Sequence, residues 1–218
     1  MKFQKMTAKE FIETLNIIGQ EYSDTIPKRE IFSLAKESKL MPVSEVVKLL
    51  NAQNHDHRLG AVSILDWKAR NKGTSAEEKR EIYQAYVDHH KNIDDWGMVD
   101  RAAPYVVGGY LFDKDRSPLY ELARSANPME RRTAIVSTYF FIRQDQIDDT
   151  FRIAEMLVHD PEHFVQTAVG SWIREAGKKD EVRLRAFLDQ FAHGMPRVAL
   201  RYAIEKLDPE LRKHYLNL

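Results

Sequence analysis

The chain has 218 residues, 43% of them hydrophobic and 30% charged, with 33 basic and 33 acidic side chains and a formal net charge of +0. This composition excludes a disordered or fibrous chain and makes any nucleic-acid role depend on segregated rather than total charge. It holds no Cys, which excludes disulfides and thiolate zinc sites and fits a reducing cytoplasm.

No apolar run approaches the roughly 18 residues of a membrane span, and the N-terminus has no charged-then-apolar leader pattern. The expectation is a cytoplasmic monomer without membrane, metal or cofactor.

In chain order, Thr7-Ala8-Lys9-Glu10 reads as a capping box ahead of Phe11, Ile12, Leu15 and Ile18, and so predicts a first amphipathic helix. Pro27 and Pro42 each mark a helix start, and a longer helix over 56–70 ends near Gly73. Ser75 opens the next helix through a second capping box. Asp95 then caps a helix carrying Val99, Ala102, Ala103, Val106 and Val107, with Pro104 inside the pattern and a break in its hydrogen-bond ladder expected there.

Ser117-Pro118 and Asn127-Pro128 read as N-cap plus first-turn Pro, the second helix running on through Tyr139 and Ile142. Further helices are predicted over 146–159, 162–176, 180–193 and 196–207, with a short one after Pro209. No strand pattern is found, so the fold class is all-α.

Alternate helices share an apolar or Arg residue, then Ala three positions on, then an apolar neighbour: Arg58/Ala61/Val62, Val99/Ala102/Ala103, Arg131/Ala134/Ile135, Val165/Ala168/Val169 and Leu200/Ala203/Ile204. The Ala positions lie 41, 32, 34 and 35 residues apart. That period suits two-helix repeats stacked as a solenoid, in which a small residue lets neighbouring helices approach closely. The five Ala are therefore expected to be buried. The same helices carry Arg58, Lys68, Arg101, Arg131, Arg132, Arg174, Lys178, Arg197 and Arg201, and Arg58, Arg101, Arg132, Arg174 and Arg201 are expected to open mostly onto one concave face able to meet phosphates.

Other chemistries find little support. His55-Asp56-His57 and His89-His90 lack zinc-helix spacing, no Gly-rich phosphate loop is present, no nucleophile elbow surrounds a Ser, and Tyr139-Phe140-Phe141 reads as core. What stands out is Asp95-Trp96-Gly97-Met98-Val99-Asp100, which sets an indole and a carboxylate four residues apart on one helical face.

That segment, with His57-Arg58-Leu59-Gly60-Ala61, Ala103-Pro104-Tyr105, Glu130-Arg131-Arg132-Thr133-Ala134-Ile135 and Ala168-Val169-Gly170 through Arg174-Glu175, occurs in an order that resembles the DNA alkylation repair family of HEAT-like repeat proteins, the AlkD-like alkylpurine DNA glycosylases. The resemblance runs from about Pro27 to the C-terminus. It implies a right-handed α-α superhelix of about six helical pairs, one domain over residues 1–218, with double-stranded DNA, alkylated or distorted, in a concave groove.

It further implies Asp100 as the catalytic carboxylate and Trp96, Arg132 and Arg174 as DNA-binding residues, with release of N3- or N7-alkylated purines and no cofactor. The family's second cleft Trp, expected directly after Gly170, is Ser171 here, and the indole comes one place later as Trp172. Two readings stay open: a repair glycosylase, and a non-catalytic HEAT-like protein binding unusual DNA structures or a protein partner.

Overall fold

The computed structural model describes residues 6–23 and 25–218, so the N-terminal reading above touches residues 1–5, which lie outside that range. Among the described residues regular structure is helical throughout, with no strand, and the all-α class read from the sequence stands. Two compact units divide the chain, Met1–Tyr110 and Leu111–Leu218.

The first unit begins with α1 (Ala8–Gly19), α2 (Lys28–Glu37), α3 (Val43–Leu50), α4 (His55–Arg70) and α5 (Ala76–Asp88). It continues with α6 (Trp96–Ala103), a π-helical stretch Pro104–Gly108 and the first two residues of the short α7 (Gly109–Leu111), whose last residue opens the second unit. The Thr7 capping box forms as expected, each partner accepting from the other's backbone N–H. α4 stops where Asn71 folds its side chain back onto the Gly73 N–H at 3.1 Å, so the local turn ends the helix without a left-handed glycine. At Pro104 the α ladder gives way to π-type bonding, the interruption that a missing N–H produces. The packing is two-layered: α1, α3 and α5 form one row, α2, α4 and α6 the other, and α4 touches both α3 and α5.

The second unit holds α8 (Ser117–Ala123), α9 (Pro128–Ser137), α10 (Tyr139–Ile142), α11 (Asp148–Leu157), α12 (His163–Gly177), α13 (Glu181–Phe191), α14 (Arg197–Ala203) and α15 (Pro209–Leu216). Here α9, α12 and α14 pack in one row, with α8 and α11 against the first two and α13 against α12. Two expectations need correction. Ser117 does not cap α8; its N–H and hydroxyl are both held by Asp115, at 3.0 and 2.6 Å. The helix from Asn127 does not run unbroken to Ile142. The Ser137 and Thr138 hydroxyls donate back to the Thr133 and Ile135 carbonyls, at 2.6 and 2.7 Å, and this back-bonding competes with the main-chain ladder where α9 and α10 divide.

All five spacing alanines are buried, at 0% exposure for Ala61, Ala102, Ala134 and Ala203 and 2% for Ala168. A second likeness appears among the arginines that open α4 and α9. Arg58 donates to the Ala52 and Gln53 carbonyls, six and five residues behind it, and to both oxygens of Asp94 at 3.0 and 2.8 Å. Arg131 donates to the Ser125 and Ala126 carbonyls, again six and five behind, and to both oxygens of Asp160 at 2.6 and 3.1 Å. Each acceptor Asp lies five residues before the apolar member of the next spacing group, Val99 and Val165. The same device thus ties α4 to the start of α6 in the first unit and α9 to the start of α12 in the second.

Candidate nucleic-acid interface

α6 is placed by contacts on both its ends. Before it, Asp94 takes the two Arg58 bonds, and the Asp95 carboxylate caps it by accepting from the Gly97 N–H at 2.6 Å. A Cβ at residue 97 would lie 2.7 Å from that same Asp95 oxygen, so a larger residue there would have to displace the capping carboxylate. Met98, Val99, Ala102 and Ala103 are buried, and the helix packs on α4. On the remaining face Trp96 is 51% exposed and Asp100 is half-buried one turn along. Trp96 thus presents about half of its surface to solvent while the rest of the helix is packed.

The far end of α6 is held by a charged and aromatic cluster not anticipated from the sequence. Asp66 of α4 is completely buried and accepts two bonds of 2.8 Å from Arg70 Nε. Arg101 Nη2 lies 3.3 Å from the same carboxylate, close enough for an ion pair but too poorly aligned for a hydrogen bond, so the contact is electrostatic. Burial pushes the Asp66 carboxyl above its ordinary range, while the Arg70 bond and the two cations pull it back. Arg101 also lies over the Phe32 and Trp67 rings, at 4.9 and 5.3 Å, and the Arg70 guanidinium stacks 3.6 Å from the centre of Tyr105. The available signal was the four-residue spacing of Asp66 with Arg70 and of Arg101 with Tyr105. What it lacked was the knowledge that α4 and α6 face each other.

Arg132 and Arg174 belong to the second unit, on α9 and α12. Arg132 is buried, at 6% exposure, and donates from Nη1 to the Phe164 carbonyl. Arg174 donates to Glu205 and is paired with Glu175, its side chain 18% exposed. The expected open basic stripe is therefore largely spent inside the protein. Arg58 and Arg131 hold aspartates, Arg101 lies against Asp66, and Lys68 is buried between the Lys39 and Met41 carbonyls and Glu78. Of the five arginines singled out for one face, only Arg201 is exposed. The physical reason is that helix ends and joints carry their own carboxylates and bare carbonyls, which engage a nearby guanidinium first.

Around the displaced indole, Ser171 is half-buried and Trp172 lies against Tyr139, ring centres 4.8 Å apart. Gly170 faces α14 so closely that a Cβ would sit 2.3 Å from the Ala199 carbonyl oxygen, which makes glycine obligatory there. No group of three or more His, Asp or Glu among the described residues could hold a metal, and no helix among them is long and apolar enough to cross a membrane.

Two stacked layers of helices, with an exposed indole and a carboxylate one turn apart, define an all-helical protein whose first unit presents one polar and aromatic site. Residues 25–207 match the family model of the DNA alkylation repair enzymes, and the chain belongs to that family. Among solved structures it is similar to a predicted DNA alkylation repair enzyme from Enterococcus faecalis, at a TM-score of 0.64 and 15% identity, over 95% of this chain and 100% of that one. That likeness concerns the fold. No curated protein matches the chain.

Proposed function

We propose that this chain binds duplex DNA in the course of alkylation repair, and that Trp96 and Asp100 form its reacting pair. The observation that carries the reading is the half-exposed Trp96 one turn from Asp100, on a helix fixed at both ends and inside the family match. An N3- or N7-alkylated purine already bears positive charge and departs without a general acid, leaving oxocarbenium character on the deoxyribose. Asp100 stabilises that developing cation or orients water onto it, and Trp96 offers its π face to the cationic sugar or base, worth about 0.5–2 kcal/mol. No cofactor enters this chemistry.

The test is release of 7-methylguanine from a methylated duplex under single-turnover conditions, together with duplex binding at low and moderate salt. Binding that weakens with salt and release above the spontaneous rate support the reading; failure of both removes it.

Arg132 contributes in this reading from a buried position, by fixing α9 to α12. Arg174 meets a phosphate only in competition with Glu205. Replacing Glu205→Gln is accordingly expected to tighten duplex binding several-fold and to steepen its salt dependence by about one counterion. Unchanged affinity would take Arg174 out of the DNA contact.

A non-catalytic protein that binds distorted DNA is the second reading, and Ser171 is what favours it. Ser171→Trp restores an indole at the bearing where the family resemblance places one, and is expected to raise release of 7-methylguanine by roughly tenfold, the size of one good aromatic contact. If neither wild type nor this variant releases base while both still bind duplex, the non-catalytic reading replaces the first.

A further inference from the structure

The α1–α3–α5 row of the first unit carries a groove that the proposed function does not use. It runs between α3 and α5, open to solvent, with a volume of about 710 Å³. Val43 and Val47 of α3 and Ala85 of α5 give it an apolar floor, while Glu77, Glu81 and Asp88 stand along α5 as one wall. Those three positions are four and seven residues apart, so a single helical face presents them.

None of the residues lining the groove is Lys or Arg. Glu77 is paired with Arg80 at 2.7 Å, and Glu78 of the same wall with the buried Lys68 at 2.7 Å. Glu81 and Asp88 are exposed and, among the described residues, have no Lys or Arg within ion-pair distance; Asp88 accepts only from the Gln84 amide, at 2.6 Å. Like charges left facing an apolar trough repel one another, and the packing of α3 on α5 makes no use of either carboxylate.

We propose that this groove docks a basic, amphipathic segment of a partner protein, with apolar side chains on Val43, Val47 and Ala85 and Lys or Arg on Glu81 and Asp88. Glu81 and Asp88 are separated by about 10 Å along α5, two turns of helix. A helical ligand matches them with cations two turns apart, and an extended one with cations about three residues apart. The acidic wall repels nucleic-acid phosphates and anionic lipid headgroups, so charge complementarity selects a basic polypeptide. Trp96 and Asp100 lie in the other row of the same unit, on α6, so docking on α3 and α5 leaves them uncovered. The proposal is independent of the DNA reading.

The probe is a fluorescein-labelled peptide of about fourteen residues, about four helical turns, with Leu on one face flanked by Lys. Its counterpart carries Glu at every Lys. Anisotropy with the full chain is expected to show binding of the Lys peptide that weakens with salt, and little binding of the Glu peptide.

The double variant Glu81→Lys/Asp88→Lys, at exposed positions and with folding checked by circular dichroism, is expected to lose at least about tenfold in affinity for the Lys peptide and to acquire affinity for the Glu peptide. Val47→Asp is expected to weaken the Lys peptide as well. The proposal is overturned if wild type fails to bind the Lys peptide, or if wild type and double variant bind it equally. It is also overturned, in favour of a second copy as occupant, if wild type dimerises without peptide and the double variant does not.

Discussion

Asp100→Asn is expected to leave duplex binding and the helical circular dichroism signal intact while lowering single-turnover release of 7-methylguanine by roughly 10²–10³-fold, the usual cost of removing one preorganised group aimed at developing charge. Asp100 is half-buried, so the isosteric amide fits the same space. What the amide lacks is the negative charge that offsets an oxocarbenium ion. Retained release in the variant would dismiss Asp100 as the reacting carboxylate, and a parallel loss of duplex binding would indicate that it serves the fold or the docking of DNA instead.

The second large effect is expected at a residue that touches no substrate. Asp66→Ala removes the carboxylate between Arg70 and Arg101, and Arg101 is then left among Phe32 and Trp67 with no counter-charge. Both cations keep some contact with water, so losing their buried partner is expected to cost about 1–3 kcal/mol, still a large share of the stability of a domain this size. Urea denaturation of the full chain is expected to show a midpoint lowered accordingly with an unchanged slope. Where the variant stays folded, tryptophan emission is expected to alter, through Trp67, which lies against Arg101, and through Trp96 on the helix that Arg101 holds. A midpoint within experimental error of wild type would mean that the cluster holds nothing.

The parts of the fold that were legible in the sequence are those decided within a few residues. Thr7, Asp95 and Asn127 announce helix starts because an N-cap is a local exchange between a side chain and a backbone N–H two or three positions on, and all three caps form. The spacing of Ala61, Ala102, Ala134, Ala168 and Ala203 marked buried positions because a small residue suits a place where helices approach closely.

The arginines were misread for the opposite reason. Whether Arg58 meets solvent or Asp94 depends on a residue 36 positions away, and whether Arg132 meets a phosphate or the Phe164 carbonyl depends on how α12 lies against α9. A count of basic residues on alternate helices contains neither fact. The Trp96–Asp100 pair fell between these cases. Its alignment followed from helical geometry, while the exposure of the indole required knowing which face of α6 meets α4.

The contact at Gly170 bears on what the displaced indole can become. Because the α12 backbone rests against the Ala199 carbonyl with no room for even a methyl group, α12 has lost the freedom to spin about its own axis. Bringing Trp172 to the bearing that Ser171 now holds would need a turn of about 100°, and such a turn would carry the Ser171 side chain to the bearing of Gly170, into α14. A rigid rotation of α12 therefore does not exchange the two side chains. The place of the indole at Trp172 rather than at residue 171 is written in covalent sequence, and only a change of sequence moves it.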